Sequence, residues 1–104
     1  MVLVQMLSRY DRLCGFRMEG HAGGKAGSDI VCAAISSAVY MTANTVTEVC
    51  GCEADITVED GFFFLMLKAG GEDRAADVLE GLRLHLTGLQ EQYPRRLHVD
   101  LITV

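Results

Sequence analysis

A histidine set in a glycine-rich stretch, His21, stands eleven residues ahead of a cysteine, Cys32, in the run GHAGGKAGSDIVCAAIS over 20–36. An imidazole brought against a thiol can take its proton, hold the thiolate as an ion pair and later protonate a departing amine. That pairing is the chemistry of a cysteine hydrolase. Ser28 followed by Asp29 reads as a helix start, with Ser28 as the N-cap and Asp29 complementing the helix dipole in the first turn. Cys32 then falls about one turn inside, where unpaired backbone N–H groups and the dipole favour a thiolate. Ser36 follows one turn later, about 6 Å further along the axis and about 40° around it, so it lines the same groove. Asp29 has two roles open to it, orienting His21 or capping the helix, and capping needs nothing beyond the helix itself. Plainer readings compete for the same residues. A cysteine among Ala and Ile also suits a small buried hydrophobe, and a histidine between glycines suits an ordinary loop.

The elements that must position these groups follow from the apolar pattern. Val2, Leu3, Val4 and Met6 form a first strand, Asp11 and Arg12 interrupt it, and Leu13 to Glu19 alternate as its hairpin partner. Four glycines between Gly20 and Ser28 predict a mobile loop. A long helix is expected over Asp29 to Cys50, with Val31, Ile35, Ala38, Val46 and Val49 on one side and Gly51 as its stop. Ala54, Ile56 and Val58 alternate with polar residues, Asp60-Gly61 suits a type I′ turn, and FFFLML over 62–67 is apolar throughout, which predicts a second hairpin. Such a run needs cover on both faces, from helices or a partner subunit. Ala76, Leu79, Leu82, Leu86 and Leu89 mark a second helix over Glu72 to Tyr93, ended by Pro94, and Leu97, Val99 and Leu101 a last strand. The expected fold is α+β, a five-stranded mixed sheet with two helices in the order ββαββαβ.

The chain has 104 residues, half of them apolar, with one proline. That suits a single domain over 1–104. Its net charge of −5 argues against a phosphate-backbone binder and so against direct nucleic-acid contact. No run reaches the roughly 18 apolar residues of a membrane span, and no signal segment is evident, so a cytoplasmic protein without membrane contact is expected. The thiols are then expected in reduced form. The glycine loop lacks the G-x-x-x-x-G-K-[S/T] order of a phosphate loop, because Ala26 follows Lys25. An anion at the helix N-terminus remains a competing ligand reading. Cys50-Gly51-Cys52 lacks the C-x-x-C spacing and second ligand pair of a zinc site, so no metal is expected. Cys14 reads as core, and His85 and His98 as residues without a role.

The run GHAGGKAGSDIVCAAISSAVYMTANTVTE resembles the signature of the bacterial ribosomal-processing cysteine protease (Prp, YsxB-like) family, in which a GHA loop precedes a helix opening D-I-V-C-A, then a serine and an N-x-x-x-E, here Asn44 to Glu48. The chain departs from the family where Gly24 and Lys25 replace a frequent aromatic. The resemblance implies a homodimeric enzyme, without a cofactor, that removes the short N-terminal extension of large-subunit ribosomal protein number twenty-seven. It implies His21 as general base, Cys32 as nucleophile, Asp29 and Ser36 as supporting residues, and Gly20, Ala22, Gly23 and Gly24 as the loop that seats the peptide. The alternative reading is a non-catalytic peptide-binding factor in ribosome assembly or regulation.

Overall fold

The computed structural model describes residues 1–21 and 29–104. The expected mobile loop over 20–28 therefore lies largely outside the described residues. Alternating side chains draw β1 (Val2–Arg9) and β2 (Arg12–Gly20) into an antiparallel hairpin. Its turn residues Tyr10 and Asp11 both take positive φ, the type I′ geometry that matches the twist of the flanking strands. After α1 (Ile30–Asn44) come β3 (Ala54–Glu59), β4 (Phe62–Leu67), α2 (Glu72–Gln92) and β5 (Leu97–Thr103). The sheet order is β3-β4-β2-β1-β5. Among the described residues only β1 and β5 pair in parallel, so the sheet is mixed, and the α+β fold in the order ββαββαβ is as expected.

Period-two alternation sends one set of strand side chains toward the helices. Val4, Met6 and Phe16 join Leu65, Leu67 and Leu97 on that face and meet Ile35, Val39, Leu79 and Leu86 in one core. Burying each of these large side chains contributes about 1.5–3 kcal/mol. The FFFLML strand divides the same way. Phe63, Leu65 and Leu67 are buried, and Phe62, Phe64 and Met66 are half-buried on the opposite face, where the Arg17 guanidinium lies 5.1 Å from the Phe62 ring centre.

Three local details differ from expectation, each for a backbone reason. The Asp60-Gly61 turn is not type I′, because Gly61 alone of the pair is left-handed, with φ of 68°. The first helix starts at Ile30 with Asp29, not Ser28, as its cap, and its last turn, Thr45–Val49, is wound as a π-helix. The hydroxyls of Thr42, Thr45 and Thr47 donate back to the carbonyls of Ala38, Met41 and Ala43, which competes with regular helix bonding. The wider turn closes through Cys50 N–H to Thr45 O at 2.8 Å and stops at Gly51, φ 67°. One extra residue rotates the face by about 100°, so Val49 is 76% exposed rather than core.

The segment Ile30–Val49 is also long and apolar enough to cross a membrane by length and composition, contrary to the expectation that no run qualifies. A third of this apolar stretch is buried, since its Val31, Ile35, Val39, Ala43 and Val46 stripe packs into the core. On α2 the buried stripe runs through Ala75 rather than Ala76.

Glu72 opens α2 in a mostly buried position and ties it to the first hairpin. Arg9 Nε donates to Glu72 Oε1 at 2.9 Å, Arg9 Nη2 donates to Leu67 O at 3.0 Å, and Gly70 N–H donates to Glu72 Oε2 at 3.1 Å. The hydrogen bond from Arg9 holds the Glu72 carboxyl below the usual glutamate range. A lowered folded pKa stabilises fully above the unfolded value of about 4.3 and is lost as pH falls through the folded one. Glu72→Gln is expected to cost about 2 kcal/mol at pH 7. The deficit should shrink at pH 3 and below, as urea unfolding at the two pH values would show.

Candidate active site

Three elements converge at the sheet end where β2 finishes. Gly20, with φ of 101°, donates its N–H to Gly61 O at 2.8 Å. A Cβ there would lie 2.3 Å from Met1 O, so only glycine fits. The bond ties the end of β2 to the β3–β4 turn, and the next residue, His21, is exposed beside that turn. Gly61 completes the seat, since a Cβ on it would come within 2.8 Å of His21 Nε2.

Cys32 is the third residue of α1, half-buried, with a free thiol. Asp29 has extended backbone, φ −83° and ψ 90°, and its Oδ1 accepts from Cys32 N–H at 2.9 Å while its carbonyl accepts from Ala33 N–H at 3.1 Å. Of the two roles open to Asp29, capping is the one the structure shows. It also occupies the amide of Cys32, which is then not available as a donor to a ligand in the groove. Asp29→Ala is expected to lower stability by about 1 kcal/mol and Asp29→Asn by a few tenths, since Asn caps equally well. Thermal unfolding of the two variants checks this.

His21, Cys32, Ser36 and Gly20 open into one groove of about 500 Å³ between α1 and the β3–β4 hairpin. Ser36 lies one turn from Cys32, as the helical spacing requires. The groove's apolar side is built by residues the motifs did not single out: Tyr40, Val58 and Phe63. The four-residue recurrence of Cys32, Ser36 and Tyr40 was the available signal for Tyr40. Val58 and Phe63 required the strand register. Ala22, Gly23 and Gly24 lie outside the described residues.

The remaining thiols and imidazoles sit elsewhere. Cys14 is the residue bulged between the Leu7–Gly15 and Ser8–Leu13 pairs. It is buried beside Met66 Sδ at 3.5 Å, and burial pushes its thiol up. Cys52 is buried with Sγ 3.7 Å from Gly71 O, and Cys50 is half-buried at the end of the π turn. His85 is exposed on α2, and His98 on β5 meets Asp100 at 3.0 Å. No group of three or more His, Cys, Asp or Glu is placed to hold a metal among the described residues.

The chain resembles known proteins over most of its length. The family model described as cysteine protease Prp matches residues 1–98. The ribosomal processing cysteine protease Prp of Bacillus subtilis is 29% identical over 94 residues, covering 84% of each chain. Its counterpart in Staphylococcus aureus is 28% identical over 86 residues, covering 80% of this chain and 81% of that protein. The crystal structure of an essential ribosomal processing protease Prp from S. aureus, covalently linked to a product peptide, superposes with a TM-score of 0.90 at 24% identity. It covers 98% of this chain and 100% of that one.

Proposed function

Because this chain belongs to the cysteine protease Prp family and is a cysteine-type peptidase, we propose that it removes the short N-terminal extension of large-subunit ribosomal protein number twenty-seven by a Cys32–His21 mechanism. The observation that carries the reading is a single groove of about 500 Å³ lined by both Cys32 and His21, with an apolar side built by Tyr40, Val58 and Phe63. The relatives named as ribosomal processing proteases support the substrate class.

In this mechanism His21 takes the Cys32 proton, and the thiolate sulfur bonds to the scissile carbonyl carbon. The resulting oxyanion faces the N-terminal end of α1, where the dipole and first-turn N–H groups other than that of Cys32 favour negative charge. The C–N bond then breaks as the His21 imidazolium gives its proton to the amine. Water, deprotonated by His21, cleaves the thioester and returns the thiol. Asp29 positions Cys32 by holding the first turn, Ser36 offers a hydroxyl along the groove, and Gly20 with Ala22, Gly23 and Gly24 seats the peptide backbone. The enzyme acts in the cytoplasm as a homodimer, with no cofactor; the half-buried Phe62, Phe64 and Met66 face is consistent with a second copy as cover.

The test is incubation of the purified protein with ribosomal protein number twenty-seven bearing its extension, followed by intact-mass measurement. One cut releasing the extension is expected. An uncut substrate overturns the proposal, and sedimentation of the free enzyme as a monomer at micromolar concentration overturns the dimer.

A further inference from the structure

A second cavity, of about 600 Å³, lies between α1 and α2, where Ala34, Ser37 and Ala38 of one helix and Val78, Gly81 and Leu82 of the other line it. At 100° per residue these α1 positions fall on the opposite side of the helix from Cys32 and Ser36. Helix α1 therefore separates this cavity from the groove. A second copy on the Phe62, Phe64 and Met66 face would leave it open, because that face is the one turned away from the helices. Two features of the chain make the space. From Ile30 to Thr47 no residue is charged, although the outer face of a surface helix ordinarily carries charges. Gly81 stands in the middle of α2, where glycine is less stable than alanine. A Cβ there would meet nothing within 4 Å, so no close approach requires the glycine. What its missing side chain leaves is an open wall.

We infer that this cavity binds a small neutral aromatic or heteroaromatic molecule that carries an N–H or O–H donor. The site stands apart from the peptidase reading and does not depend on it. Among the described residues no carboxylate, ammonium or guanidinium lines the cavity, and its imidazole, His85, is exposed. A charged ligand would lose water there without gaining a buried partner. Buried Leu82 with half-buried Ala38 and Val78 offers an apolar surface of the kind that small-molecule sites present. Met41, 67% exposed at the edge, adds a flexible thioether, which makes favourable contacts with aromatic rings. Thr45 sets the polar end. Its hydroxyl proton is committed to Met41 O at 2.8 Å, so its oxygen is left to accept and the ligand must donate.

The test titrates a fixed low concentration of 2-phenylindole, a fluorescent neutral ring compound with one N–H, with the full chain. Saturable binding with a Kd on the order of 50 μM is expected for a probe of that size. Its N-methyl derivative, which has no donor, should bind about 10-fold more weakly. In Thr45→Val that preference should shrink to less than about 2-fold, while Thr45→Ser keeps it. Gly81→Leu should weaken binding at least about 10-fold by filling the cavity, and should raise the melting temperature by a few degrees, since leucine is the better helix former. If Gly81→Leu does not fold, Ser37→Leu fills the space from the opposite wall. No saturable signal, equal affinity for the N-methyl compound, or undiminished binding in a folded Gly81→Leu or Ser37→Leu protein overturns the site. A signal that disappears as the protein self-associates in sedimentation shows a second copy in the cavity and overturns it as well.

Discussion

Cys32→Ala is expected to abolish peptide cleavage, by at least about 10⁴-fold in kcat, while the protein stays folded with its melting temperature within a few degrees of the parent. Cys32 is half-buried and packs against the core rather than within it, so removing its sulfur leaves little cavity. His21→Ala should fall to a similar level, and the double variant should be hardly slower than either single one, because in the proposed mechanism nucleophile and base act as a unit. Steady-state cleavage of the extension peptide with all three variants measures this. Retained turnover in folded Cys32→Ala would remove Cys32 as the nucleophile.

Gly61→Ala should produce the other large effect, through a residue that contributes no side chain to the reaction. A left-handed alanine costs about 1–2 kcal/mol, and the new Cβ would press on His21 Nε2. Displacing the proposed base by even about 1 Å can cost about 10²-fold, so kcat should drop by one to two orders of magnitude. Gly51→Ala is the control. Gly51 has nearly the same φ, 67° against 68°, and nothing within 4 Å of the position its Cβ would take. It should therefore lose comparable stability and keep its activity. Equal activity losses in the two variants would show that Gly61 acts through stability alone.

The readability of each feature follows the range of the interaction that makes it. Alternation in Val2–Arg9 and the apolar run Phe62–Leu67 specify strands locally, because neighbouring side chains must face opposite sides of a sheet. The stripe on α2 is equally local, and its one misplaced member, Ala75 read as Ala76, is a shift of a single position. The C-terminal end of α1 was less legible. Three threonine hydroxyls compete with the backbone there, and the resulting π turn carries Val49 out of the stripe on which a regular helix places it.

The site divides along the same line. His21, Cys32, Ser36 and Asp29 stand in one short stretch of chain, and their residue types with helical spacing determine that a thiol, a hydroxyl and a capping carboxylate share the first turns of one helix. Whether the histidine comes to line a groove beside that helix is not a property of the stretch. It is decided by the bond from Gly20 N–H to Gly61 O, some forty residues away in sequence, and by the bare Cα of Gly61 against the imidazole. The groove's apolar side is likewise a product of register, since Val58 and Phe63 pair across strands and Tyr40 meets Phe63 only once α1 lies on the sheet. Local spacing thus determined which groups could react, because a helix repeats every 3.6 residues wherever it lies. Tertiary structure decided where they meet and what they face, because strand pairing and helix docking join residues whose separation along the chain carries no periodic signal.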